Sequence, residues 1–139
     1  MLARGLTLID DSYNSSPAAL SGALDALASE RPAGRRIAVL GEMRELGALS
    51  MELHQASGRR AVAAGVDALV AVGGDSAQAL AEAAIAAGLP AARVSYFGTS
   101  VEAADAVASL VAPGDVVLVK GSRGTRMDVV ADRVKEEWA

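Results

Sequence analysis

Five short apolar runs recur along the chain: 6–10 (LTLID), 37–41 (IAVLG), 68–73 (ALVAVG), 94–98 (VSYFG) and 116–120 (VVLVK). They are apolar almost throughout and do not alternate with polar residues, which is how a strand buried on both faces reads. The stretches between them have helical spacing. Leu20, Leu24 and Leu27 mark one stripe, and Met127, Val130, Val134 and Trp138 mark another. Ser16-Pro17 offers an N-cap with proline at the first helical position. Thr99 with Glu102 and Thr125 with Asp128 have capping-box spacing, and Asp75 with Gln78 is a looser version. Gly65, Gly88 and Gly114 close helices or turn the chain. The rhythm is β-α repeated about five times, which predicts an α/β fold: a doubly wound, mostly parallel sheet with helices on both faces.

Composition narrows the class. At 139 residues the chain fits one domain, 1–139, with a real core. Hydrophobic residues make up 52% and aromatics only 3%, so that core is built from Ala, Val and Leu. A net charge of -4 argues against a nucleic-acid face, which needs concentrated Lys and Arg. There is no cysteine, hence no disulfide and no thiolate metal site. No apolar run approaches the ~18 residues of a membrane span, and no long apolar leader opens the chain. The expectation is a cytoplasmic protein without membrane insertion.

In doubly wound sheets ligands bind beyond the carboxyl ends of the strands, so the chemistry is sought in the loops DDSYNSSP, GEMRELGALS, GGDS, GTS and KGSRGTR. The first sets Asp10 beside Asp11, followed by Ser12, Tyr13 and Asn14. It reads either as a turn, since Asp, Asn and Ser bond their own backbone, or as a ligand-facing loop whose adjacent carboxylates need a cation or hydrogen bonds to offset repulsion. Lys120 ends a buried strand, with its amine expected at the carboxyl edge. Gly121 and Gly124 would let a ligand approach, and Ser122 and Arg123 can donate to an anion. The alternative is a basic solvated loop. Glu42, Arg44 and Glu45 lie between Gly41 and Gly47, either as surface ion pairs or beside a site. His54 is the only histidine, and chemistry alone favours packing over catalysis. GxGxxG, GxxxxGK[ST] and GxSxG are all absent.

Taken in order, DDSYNSSP, GEMRELG, His54 with Gly58, and VLVKGSRGTRMD resemble the C-terminal domain of the MurF branch of the Mur ligase family. The family pattern is DDSYNANP, GDM-x-ELG, H-x-x-x-G and VLVKGSR followed by Met-Glu. The resemblance runs from about Leu6 to the helix holding Val130. It implies a three-domain, ATP-dependent ligase of peptidoglycan synthesis. ATP forms an acyl phosphate on UDP-MurNAc-tripeptide, D-Ala-D-Ala attacks it, and the C-terminal domain closes over the nucleotide beside the enzyme's own central domain. It implies nucleotide or phosphate contacts at Asp11, Asn14, Lys120 and Ser122, and substrate contacts at Tyr13, Arg123, Glu42 and Arg44. His54 receives no role. Catalytic groups, the carbamylated lysine and the Mg²⁺ ligands belong to the central domain, which is absent here with the UDP-sugar domain. These 139 residues alone are therefore expected to be inactive. The abrupt MLARGLTLID reads as a domain cut from a longer chain with Met1 added.

Among the departures from the family pattern, Ser16 replaces Asn, and Asp128 replaces Glu. A rival reading is a phosphoacceptor receiver domain, with Asp10 and Asp11 binding Mg²⁺, Asp75 accepting the phosphoryl group, and Thr99 and Lys120 completing the set.

Overall fold

The computed structural model describes residues 2–12, 15–121 and 123–139, with the backbone alone for Arg123. The described residues form one sheet of five parallel strands: β1 (Thr7–Asp11), β2 (Arg36–Gly41), β3 (Ala68–Val72), β4 (Val94–Phe97) and β5 (Val116–Lys120). Their order is β1-β5-β2-β3-β4. Helices α1 (Pro17–Ser29), α2 (Ser50–Ala63), α3 (Asp75–Ala86), α4 (Ser100–Leu110) and α5 (Met127–Glu137) follow the strands in turn. This is the doubly wound α/β fold expected.

The strand order decides the layers. From β1 to β4 the chain steps always in one direction, so right-handed crossovers place α1, α2 and α3 on one face. From β4 it returns three places to β5, so α4 lies on the other face, where α5 packs against it. Alternate strand residues feed the two cores. Ala38, Leu40, Leu69, Ala71 and Leu118 join Leu20, Leu24, Leu27 and Leu80 on the α1–α3 face. Ile37, Val39, Val70, Val117 and Val119 join Val107, Met127, Val130 and Val134 on the α4–α5 face. The unbroken apolar runs follow from this two-sided burial.

The helix ends divide the capping expectations. Ser16 caps α1, its hydroxyl accepting the Ala19 N–H at 3.2 Å. Thr99 accepts the Glu102 N–H at 3.4 Å and donates its hydroxyl to the Glu102 carboxylate. Gly65 and Gly88 end α2 and α3 at φ +85° and +119°. The next amides, Val66 and Leu89, reach back to Ala61 and Ala84 carbonyls, and both side chains are buried. Thr125 and Asp128 do not form the expected box. Arg126 precedes α5 in the left-handed region at φ +54°, and its guanidinium takes the Asp128 carboxylate. Asp75 does not cap α3 either; Gly74 holds that place.

At the amino edge, buried Asp115 ties the turn before β5 to β2. It accepts the Arg35 N–H at 2.7 Å, the Arg35 guanidinium at 3.0 Å and the Ala112 N–H at 2.9 Å.

Candidate functional site

The strand period separates the acidic pair. Ile9 packs toward α1, so Asp10 points to the α5 face and Asp11 back to the α1 face. Asp10 accepts the Lys135 ammonium at 2.6 Å and the Ser12 hydroxyl at 2.7 Å. Burial alone would raise its pKa, but these donors together hold it below the ordinary carboxylate value. Asp11 sits in register with Lys120 and meets its ammonium at 2.8 Å. Half of the Asp11 side chain (49%) stays in solvent, while Lys120 is 3% exposed. The Lys120 amine therefore does not emerge at the edge as expected. It lies beneath Asp11 and supports it.

The remaining strand exits brace one another. After β2, the Glu42 carboxylate accepts the Gly74 N–H at 3.1 Å, so the carboxylate from a neighbouring loop occupies the start of α3. The Tyr96 hydroxyl donates to the Gly73 carbonyl at 2.6 Å from the other side. Gly73 has φ +142°, and a Cβ there would stand 2.6 Å from the Glu42 Cβ. Arg44 crosses to the loop after β5 and donates to the Gly124 carbonyl at 3.0 Å. The space beside Gly121 and Gly124 was expected to admit a ligand. It is filled by Met127, 2.2 Å from a Cβ on Gly121, and by Arg44, 2.7 Å from one on Gly124.

Between these exits lies a cleft of about 320 Å³, walled by Glu42 and Arg44, Gly73-Gly74, Gly98 to Ser100, and Gly124 to Arg126. Its size lies at the lower end of small-molecule sites, ~300–1,000 Å³. A larger hollow of about 480 Å³ lies at the opposite, amino edge around Arg4 and Gly114. The carboxyl edge is where this architecture binds ligands, and the cleft gathers carboxylate, guanidinium and hydroxyl groups from four loops.

Of the residues singled out from the sequence, Glu42 and Arg44 line this cleft, and Asp11 and Lys120 form the ion pair at the neighbouring β1–β5 exit. Arg123 opens a short helical turn, Arg123–Thr125. Tyr13, Asn14 and Ser122 lie outside the described residues. His54 lies wholly within the protein beneath the Glu42–Arg44 segment. Sequence reasoning missed Tyr96 and Arg126. Tyr96 read as one more apolar strand residue, although an edge-strand tyrosine one residue before the strand end is a signal for a rim contact. Arg126 was hidden in a basic loop.

The receiver reading fails on topology. It needs the flavodoxin-like order 2-1-3-4-5, with β1 beside β3. Here β5 and β2 lie between them, and Asp75 is the first residue of α3. Asp10 and Asp11 face opposite sides of the sheet, each on its own lysine, and Thr99 caps α4. No group of three His, Cys, Asp or Glu that could hold a metal occurs among the described residues. Among the described residues, the carboxylates are not arranged as the receiver reading needs for Mg²⁺.

Comparison with known proteins gives this edge its context. The family model for the Mur ligase glutamate ligase domain matches residues 1–123. The UDP-N-acetylmuramoyl-tripeptide–D-alanyl-D-alanine ligase of Mycobacterium tuberculosis is 40% identical over 144 residues, covering 92% of this chain and 28% of that protein. The Escherichia coli enzyme of the same name is 34% identical over 137 residues, covering 97% and 28%. Among solved structures, MurF from Acinetobacter baumannii superposes with TM-score 0.83 at 31% identity, over 98% of this chain and 29% of that one. MurF ligase from Thermotoga maritima in complex with ADP superposes with TM-score 0.76 at 29% identity, over 99% and 30%. The chain thus spans 28% of the length of these curated relatives. The family model spans most of the chain, and relatives of 34% and 40% identity align with nearly all of it: the chain belongs to the Mur ligase family, as its C-terminal domain.

Proposed function

We propose that this chain is the C-terminal domain of an ATP-dependent ligase that joins D-Ala-D-Ala to UDP-MurNAc-tripeptide, and that its carboxyl edge faces the nucleotide and the dipeptide. The observation that carries this reading is convergence. Loops far apart in sequence meet on one edge, and relatives named for that reaction align with nearly the whole chain. ATP supplies the phosphoryl group that activates the tripeptide carboxylate. The chain's own groups bind and orient. Asp11 offers an acceptor to a nucleotide hydroxyl, and buried Lys120 holds that carboxylate in place and neutralises it. Glu42 presents a carboxylate to the ammonium of a dipeptide. Arg44 and Arg126 give the rim a cationic side for its carboxylate, and Arg123 belongs to the same loop as Arg126. Tyr13, Asn14 and Ser122 belong to the same loops as Asp11 and Lys120 and complete the proposed contact set. The groups that would hold Mg²⁺ are assigned to the rest of the enzyme.

The test is a ligation assay on the longer enzyme carrying this domain, with product mass measured after incubation with ATP, UDP-MurNAc-tripeptide and D-Ala-D-Ala. Product is expected only with all three present, and none from residues 1–139 alone. Asp11→Asn is expected to raise the KM for ATP about tenfold, the low end for losing a hydrogen bond to a charged group. An unchanged KM for ATP would remove Asp11 from the nucleotide contacts. Ligation of a different amine donor in place of D-Ala-D-Ala would overturn the substrate assignment.

A further inference from the structure

His54 with Gly58 is the motif that the proposed function leaves without a role. His54 is fully buried in α2. Its Nδ1 lies 2.7 Å from the Ser50 carbonyl oxygen, which can only accept. Its Nε2 lies 2.8 Å from the Met43 amide nitrogen, which can only donate. One form satisfies both: the neutral ring with its proton on Nδ1. With both nitrogens engaged and no surface in solvent, the ring has no lone pair or proton left for a substrate.

The partner it holds is what matters. Met43 is itself buried and stands between Glu42 and Arg44, whose side chains brace Gly74 and Gly124 across the cleft. The Ser50 hydroxyl meets the Ser76 hydroxyl at 2.9 Å, joining the first turns of α2 and α3 under the same cleft. Gly58, one turn along the same face of α2, lets the helix seat against the Leu80 carbonyl. The two motif residues thus form one device: Gly58 seats α2 on α3, and His54 uses that seat to hold the loop above it.

We propose that His54 is a positioning residue for the carboxyl-edge cleft: it fixes the Met43 amide and thereby sets Glu42 against Gly74 and Arg44 against Gly124. The kinetic part of this proposal rests on the function proposed above, and the spectroscopic part does not. In a ¹⁵N-labelled sample of the 139-residue chain, the single histidine makes ring assignment unambiguous. Long-range ¹H–¹⁵N correlations are expected to show a protonated Nδ1 and a bare Nε2. His54→Leu, which fills the space without an acceptor, is expected to shift the Met43, Gly74 and Gly124 amide resonances. His54→Gln, whose side-chain oxygen can reach the Nε2 position, is expected to restore them. In the longer enzyme, well below the melting temperature, His54→Leu is expected to raise the KM for D-Ala-D-Ala about tenfold. The KM for ATP and kcat should stay within about twofold, and His54→Gln should recover most of the loss. A proton on Nε2, or equal Gly74 and Gly124 shifts in the Leu and Gln variants, would overturn the proposal. So would a His54→Leu enzyme that melts earlier with an unchanged dipeptide KM. If the enzyme does not use D-Ala-D-Ala, the substrate reading fails and the amide shifts still decide the role of His54.

Discussion

Gly22→Ala and Gly58→Ala make the same exchange inside two helices and are expected to change stability in opposite directions. Gly22 is exposed on α1, and nothing lies within 4 Å of where a Cβ would stand. Alanine there gains helix propensity, about 0.8–1 kcal/mol. Gly58 lies where α2 packs on α3. A Cβ there would stand 2.3 Å from the Leu80 carbonyl oxygen, with the Ala83 Cβ and the Ala84 amide nitrogen each at 3.2 Å. A carbon and a carbonyl oxygen in contact stand ~3.3 Å apart, so the helices must separate by about 1 Å. The oxygen belongs to helical backbone and cannot rotate away. Overpacking costs ~1–3 kcal/mol, and a fixed backbone obstacle belongs at the upper end of that range. Subtracting the propensity gain leaves Gly58→Ala about 2 kcal/mol less stable than the parent. The two variants should then differ by about 3 kcal/mol, or roughly 10 °C in Tm for a chain of this size. Urea titration and scanning calorimetry of the three 139-residue chains measure the difference. Equal stabilisation by both substitutions would refute the argument, because it would mean that α2 and α3 are not in close contact at Gly58.

Two further predictions concern carboxylates. Asp115→Ala removes the acceptor of the Arg35 and Ala112 amides and of the Arg35 guanidinium. Stranding two partly buried amides should cost about 2–4 kcal/mol, read as a lower urea midpoint with unchanged slope, and Asp115→Asn should cost less. Asp10 titrates below its ordinary 3.8, because Lys135 and Ser12 together outweigh burial. A carboxyl lowered by folding contributes stability that is present above its unfolded pKa and lost as pH falls through the folded one. The gap in urea midpoint between parent and Asp10→Asn should therefore be constant from pH 7 to about 5 and close below about 4. A gap that widens on acidification would show the reverse sign.

The fold was legible where burial writes itself into composition. Val116 to Val119 feed both cores in alternation, so all are apolar and the strand shows. Ser16-Pro17 announced α1 because a cap is a local bond. The boundary of β1 slipped by one residue, since Asp11 extends the strand by pairing with Lys120, 109 residues away. Such pairings are what a linear reading lacks. Glu42 finds Gly74 across 32 positions and Arg44 finds Gly124 across 80. Thr125 and Asp128 had the spacing of a cap, yet the left-handed Arg126 between them turned the carboxylate to its own guanidinium. Lys120 carried a usable warning. A lysine that ends a strand buried on both faces is expected to pair within the fold, and the structure supplies the partner, Asp11, in direct register.

The division of labour between Asp10 and Asp11 bears on what the edge can bind. Strand parity sends the two carboxylates to opposite faces, so they cannot chelate one cation together. Asp10 is consumed by Lys135 and Ser12, fastening β1 to the far turn of α5. Asp11 keeps half its surface in water, but the ammonium beneath it compensates its charge. A carboxylate so compensated still accepts hydrogen bonds in fixed directions, while it neither attracts a divalent ion strongly nor repels a nearby phosphate. That chemistry suits the hydroxyls of a ribose, as the proposed function requires. It also makes Lys120→Met a sharper probe than Lys120→Ala. The Met variant keeps the buried volume and removes only the compensating charge, so Asp11 would face the triphosphate as a full anion. In the longer enzyme this is expected to weaken ATP more than adenosine, with inhibition constants for the two measured side by side. Equal weakening of both would mean that Lys120 supports the shape of the edge and not its charge.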